Sequence, residues 1–138
     1  MYNITLPIYY NKKYKTKPDK TFLVGLNWFR NAYRYEQNSV KQHYHNLIKN
    51  QLSNVTKISG TYALDLKLFY KNPSSDMSNC LALIEKFVLD ALQELDVTSG
   101  DTVKHHVKTT YCVAGQDKTN PRAIITLKEA QLDQNPSS

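Results

Sequence analysis

Between Asp76 and Asp101 the chain carries six carboxylates and a single lysine, Lys86, although the whole protein has a formal net charge of +6. Carboxylates gathered in this way suit a hard divalent cation, which takes oxygen ligands and keeps several waters. On an ideal helix Asn79, Lys86 and Asp90 fall within roughly 40° of one another, with Asp76 about 60° from Asn79. They form one stripe, opposite an apolar side made by Leu81, Ile84, Val88, Ala91, Leu92 and Leu95. The same spacing also describes a solvated helix face, with Lys86 and Asp90 as an i,i+4 pair and Asp76 favourable near the helix N-terminus. Spacing alone leaves both readings open.

A second chemistry lies upstream. Residues 1–57 hold ten Lys/Arg against Asp19 and Glu36, giving +8, while the remainder holds eight bases against ten acids, giving −2. Such a concentration of positive charge suits a polyanion, because each lysine that neutralises a phosphate releases a condensed counterion. It also suits plain solubility. Within it, Tyr9, Tyr10 and Tyr14 interleave with Lys12, Lys13, Lys15 and Lys17. Tyrosines so placed can stack on unpaired bases while the lysines track phosphates, or they can pack on a sheet. Arg30, Arg34, Lys41, Lys49, Lys108, Lys118 and Arg122 are further basic candidates without a pattern of their own.

The elements that must position these groups follow from periodicity. "YNITLP" alternates and reads as a first strand, and "YYNKKYKTKPDK" reads as an exposed loop interrupted by Pro18. From Leu26 to Leu52, Phe29, Tyr33, Val40, Tyr44, Leu47 and Ile48 recur at helical spacing, with Ser39 and Gln42 as a capping box that would break the helix near Asn38. "TYALDLKLFYK" is a strand with Tyr62, Leu64, Leu66, Leu68 and Tyr70 on one face and Asp65 and Lys67 on the other. Met77 to Leu95 is a second helix, and "VKHHVKTTYCV" and "RAIITLKE" are strands joined by "AGQDKTNP" as a long-looped hairpin. The order implies a single α+β domain over residues 1–130, a mixed sheet of about four strands covered by two main helices. Residues 131–138 read as a frayed tail.

With 138 residues, 41% apolar and 22% charged, the chain has the composition of a soluble globular domain. No apolar run approaches the roughly 20 residues of a membrane span, and the start "MYNITLPIYYNKKYK" lacks a secretory pattern, so a reducing, cytoplasmic location is expected. Cys80 and Cys112 read as small buried hydrophobes. His43 and His45 fall on different faces of a helix, with no zinc-protease Glu between them. His105 and His106 point to opposite faces of a strand, where one can approach the acidic stripe or simply lie half-buried. No glycine-rich phosphate loop or nucleophile elbow occurs.

"DMSNCLALIEKFVLDALQELDVTSGDTVKHHVK" resembles the core of the RusA family of Holliday junction resolvases. That core has an Asp-x-Asp-Asn element leading into a helix with Lys and Asp-Ala-Leu, then an Asp pair before a strand. "ITLPIYYNKKYK" resembles the family's opening strand, and the two stretches cover about a third of the chain. The resemblance implies a homodimer that cleaves four-way DNA junctions by paired nicks, using Mg²⁺, for which Mn²⁺ can substitute. Carried over by position, Asp76, Lys86 and Asp101 take the catalytic roles. Asp76, Asp90 and Asp101 take the metal, and Asn11, Lys12, Lys13, Tyr14, Lys15, Lys17 and Asn79 take the DNA. Three positions depart from the pattern: Ser78 stands for the second Asp, Gly100 for the first of the late pair, and Lys86 lies a turn further from Asn79. A hydroxyl binds a hard cation far less strongly than a carboxylate, and Glu85 lies roughly 120° from Asn79, so a protein that binds branched DNA or a host protein without cleavage is the alternative.

Overall fold

A computed structural model of the chain describes residues 1–131, so the expected tail lies outside the described residues except for Gln131. In chain order the elements are β1 (Tyr2–Pro7), β2 (Tyr9–Lys12), β3 (Lys20–Leu23), α1 (Leu26–Asn31), α2 (Arg34–Gln51), β4 (Tyr62–Tyr70), α3 (Met77–Glu94), β5 (His106–Gln116) and β6 (Arg122–Glu129). Four strands form a mixed sheet in the order β1-β6-β4-β5, with β4 and β5 parallel and the other pairs antiparallel. The expected α+β domain is therefore observed. Among the described residues no helix is long and apolar enough to cross a membrane.

The alternation in β4 decides the layering. Tyr62, Leu64, Leu66 and Leu68 are buried beside Ile4 and Leu6 of β1 and Ile125 and Leu127 of β6. Against this apolar face pack Leu81, Ile84, Val88 and Leu92 of α3 and Val40, Tyr44 and Ile48 of α2. The other face carries polar pairs: Asp65 accepts from Thr110 Oγ1 at 2.5 Å and from Lys128 Nζ at 2.8 Å, and Thr126 Oγ1 donates to Asn3 at 2.9 Å. Those donors hold the Asp65 carboxyl below the usual carboxylate range.

Four local expectations are corrected. β5 and β6 do not form a hairpin: both pair with β4, which lies between them. The most apolar strand gains a partner on each edge, and the connection wraps over its end, where Asp117 N donates to Tyr70 O at 2.8 Å. The basic stretch expected as a loop begins and ends in a second, two-stranded sheet, β2 paired antiparallel with β3 from Tyr9↔Leu23 to Lys12↔Lys20, and only residues 13–19 form the connection.

The break between α1 and α2 falls at Ala32 and Tyr33, both extended, rather than near Asn38. Ser39 forms no cap there; its hydroxyl donates to Tyr35 O at 2.9 Å within α2. Gln37 instead closes the end of α1, its Nε2 donating to Phe29 O at 2.5 Å. Finally, Cys112 is exposed on β5, while Cys80 is buried as expected, its thiol pushed up to about 11 by burial and the nearby Asp76 charge.

Candidate nucleic-acid interface

The acidic stripe of α3 borders α1 and α2, with Asp76 and Lys86 exposed and Asn79 and Asp90 half-buried. Asp76 is the N-cap, accepting from Asn79 N at 3.2 Å, which satisfies one of the unpaired donors at the helix start. Asn79 reaches across to α1 and accepts from Asn27 N at 2.9 Å. Gly25 precedes α1 and supplies no cap of its own, and a Cβ there would meet Asn79 Nδ2 at 2.6 Å. Glycine is what lets the amide come close enough to cap. Lys86 lies over the Phe29 ring, 5.2 Å from its centroid, and Asp90 pairs with Lys41 of α2 at 3.3 Å. Glu94 lies 3.9 Å from the same lysine and 3.0 Å from His45 Nδ1. The polar flank of α3 thus holds the α1–α2 layer to the helix, and Asn79, expected at the DNA, also caps α1. Asn79→Ala is expected to cost about 1 kcal/mol in chemical denaturation, the usual cost of losing a helix cap.

This arrangement separates the three carboxylates expected to share a metal. Asp76 and Asp90 lie fourteen positions apart on one helix, about 21 Å along its axis. Asp101 belongs to the connection beyond the other end of α3, where Tyr62 OH donates to Gly100 O at 2.8 Å. Burial, and after it the charges of Asp101 and Glu85, push the Tyr62 phenol up. Among the described residues no three His, Cys, Asp or Glu side chains come together to hold a metal ion. Within one chain, Asp76, Asp90 and Asp101 therefore do not fit a shared Mg²⁺ or Mn²⁺.

Glu85, off the stripe on helical geometry, is the α3 acid that meets β5. It accepts from Tyr111 OH at 2.6 Å and lies 3.9 Å from His106 Nε2, whose ring stacks on Tyr62. His106 is thus the strand histidine that reaches the acidic helix, and it is half-buried there.

The basic hairpin sorts its residues into structural and free ones. Lys12 Nζ lies 2.5 Å from Glu36 Oε2, and Trp28 Nε1 donates to Glu36 Oε1 at 2.8 Å. Lys12, followed by Trp28, holds the Glu36 carboxyl below its ordinary range. Asn11 accepts from Thr21 Oγ1 at 3.2 Å and donates to Asp19 at 3.4 Å. Lys12 and Asn11 therefore brace the hairpin. Lys13, Lys15 and Lys17 are exposed, and Tyr14 is half-buried beneath Lys17, whose Nζ lies 4.3 Å from its ring centroid.

Two of the three expected stacking tyrosines point inward. Tyr10 packs on Phe22 and on the edge of His43, and Tyr9 packs against the core. The exposed aromatics are Tyr33 and Tyr35, at 74% and 66% exposure. Their rings lie nearly parallel, 10° apart, with centroids at 6.0 Å. Lys12 Nζ is 5.9 Å from the Tyr35 ring, so this pair adjoins the hairpin, and exposed Arg34 sits between the two in sequence. Helical spacing puts Tyr33 on the apolar stripe from Leu26 to Leu52, which continues across the break expected near Asn38. The available signal was "AYRYE", two tyrosines flanking an arginine at the start of a helix.

No protein-family model matches the chain, and no curated protein matches it either. The likeness to RusA resolvases rests on the order of the quoted motifs.

Proposed function

We propose that this chain is a DNA-binding protein of RusA-like build that recognises branched DNA, four-way junctions above all, through the β2–β3 hairpin and the start of α2. One observation carries the reading: two large aromatic rings stand exposed and nearly parallel next to Lys12 of the hairpin whose connection carries three exposed lysines. Aromatic faces accept unstacked bases of any sequence, and neighbouring lysines neutralise the flanking phosphates. A branch point offers both in one place. A homodimer would present the face twice, matching the two-fold symmetry of a junction.

The dispersed carboxylates support binding over cleavage. The second reading is the Mg²⁺-dependent resolvase that makes paired nicks. It is favoured by the motif order and by the acidic pair Glu85 and Asp101, both of which act on Tyr62.

Incubation with a synthetic four-way junction, with and without Mg²⁺, tests both. A mobility shift in either condition without strand scission is expected. Replacing Tyr33 and Tyr35 together by alanine is expected to weaken junction binding at least about tenfold, since each base–aromatic stack contributes roughly 1–3 kcal/mol. Symmetric nicking that requires Mg²⁺ and disappears in Asp76→Asn or Asp101→Asn would establish the nuclease instead. Absence of any shift would exclude both and leave a protein partner.

A further inference from the structure

Between β2 and α2, directly behind Tyr35, lies a cleft of about 480 Å³. Its size falls within the roughly 300–1,000 Å³ of small-ligand sites. Tyr10, Tyr35 and His43 supply aromatic surface, Lys13 and Ser39 line it from exposed positions, and fully buried Val40 lies at its inner end. Tyr10 and His43 meet edge to face, 5.2 Å between centroids, so their rings form a fixed corner. The one carboxylate in the lining, Glu36, has one oxygen engaged by Lys12 and the other by Trp28, which leaves it poorly placed to repel an anion. Burial lowers the His43 pKa, so its ring is neutral at pH 7 and acts as an aromatic wall with a hydrogen-bonding edge.

We infer that this cleft receives a single unpaired nucleotide of the bound DNA, its base between Tyr35 and the Tyr10–His43 corner and its phosphate on Lys13. The inference rests on the DNA-binding reading and deepens it. Tyr33 and Tyr35 give an open platform, whereas the cleft walls one base between Tyr35 and the Tyr10–His43 corner, so selectivity for unpaired nucleotides originates here. The chemistry needed is a flat heteroaromatic ring with an anion beside it, which a free nucleotide also offers.

Three duplexes separate the possibilities: one fully paired, one with a single unpaired nucleotide, and one with an abasic residue at that position. By fluorescence anisotropy the full-length protein is expected to bind the unpaired nucleotide about tenfold more tightly than the paired duplex, the worth of one base stack. The abasic duplex falls back to the paired level. Ser39→Trp fills the cleft from an exposed helical position and brings the unpaired-nucleotide duplex down to the paired level. Ser39→Ala, which removes only the hydroxyl, keeps the preference.

Equal binding of abasic and base-bearing duplexes, or a preference that survives Ser39→Trp with an unchanged melting temperature, overturns the inference. Deoxynucleoside monophosphate that binds as tightly as the unpaired-nucleotide duplex makes a free nucleotide the occupant and overturns the DNA part of it. A protein that binds paired and unpaired duplexes equally loses the cleft proposal but keeps DNA binding. One that binds none of them loses both.

Discussion

Replacing Lys13, Lys15 and Lys17 together by alanine is expected to lower junction affinity by roughly one to two orders of magnitude near 0.1 M salt. It should also make the slope of log K against log salt shallower by about 3, because each lost phosphate contact removes about 0.9 of slope. All three side chains are exposed, and none forms an ion pair among the described residues. The melting temperature is expected to change little, since exposed substitutions usually fall within about 0.5 kcal/mol and the contact of Lys17 with the Tyr14 ring, at an exposed site, contributes only about 0.5–1 kcal/mol. Lys12 is left out of the set because it holds Glu36 and through it the Trp28 indole. Removing it would disturb the hairpin's seat on α2 and mix a structural loss with an electrostatic one. Titration of wild type and triple variant at several salt concentrations decides the matter: parallel slopes would mean that the hairpin tip does not touch the phosphate backbone.

The three free lysines were legible in the sequence because their signal is compositional, and exposure follows from charge without knowledge of the fold. The strands β1 and β4 and the helix α3 were legible for a related reason. Each has a period that only one secondary structure satisfies, as in "YALDLKL" for a strand with one buried face. What could not be read depends on contacts distant in sequence. The hairpin's inward side is made of Tyr9, Tyr10 and Phe22, interleaved with lysines, so its alternation is hidden until the core beneath it exists. The contacts of the half-solvated α3 stripe were illegible because its partners, Asn27, Phe29 and Lys41, lie some fifty residues upstream. Tyr33 shows the same limit in reverse. Its helical spacing is apolar only if the helix runs through Ala32, and the break there is held by Gln37 closing α1. The carboxylates Asp76, Asp90 and Asp101 looked like a set in one dimension, but helix geometry places two of them four turns apart.

The interface depends on the packing beneath it, so Phe87→Ala is expected to produce the largest loss of stability, about 3–5 kcal/mol. Phe87 is 2% exposed on α3, its ring stacked on Tyr44 of α2 at 5.4 Å and meeting Phe29 of α1 edge to face at 6.3 Å. Tyr44 OH in turn donates to Pro7 O at 2.5 Å, where β1 hands over to the basic hairpin. One ring therefore joins α1 and α2, and through Tyr44 the hairpin base, to the main core. A domain of this size has only about 5–15 kcal/mol in total, so chemical denaturation should show roughly a fifth or more of the stability gone. Phe87→Leu keeps most of the volume and should lose much less. The coupling also predicts a functional effect. At a temperature where Phe87→Ala remains folded, its junction affinity should fall although no DNA-facing residue has changed, because Tyr33 and Tyr35 are aimed by the α1–α2 layer that Phe87 anchors. A variant of full junction affinity despite the lower denaturation midpoint would show that the tyrosine pair is held by the hairpin alone.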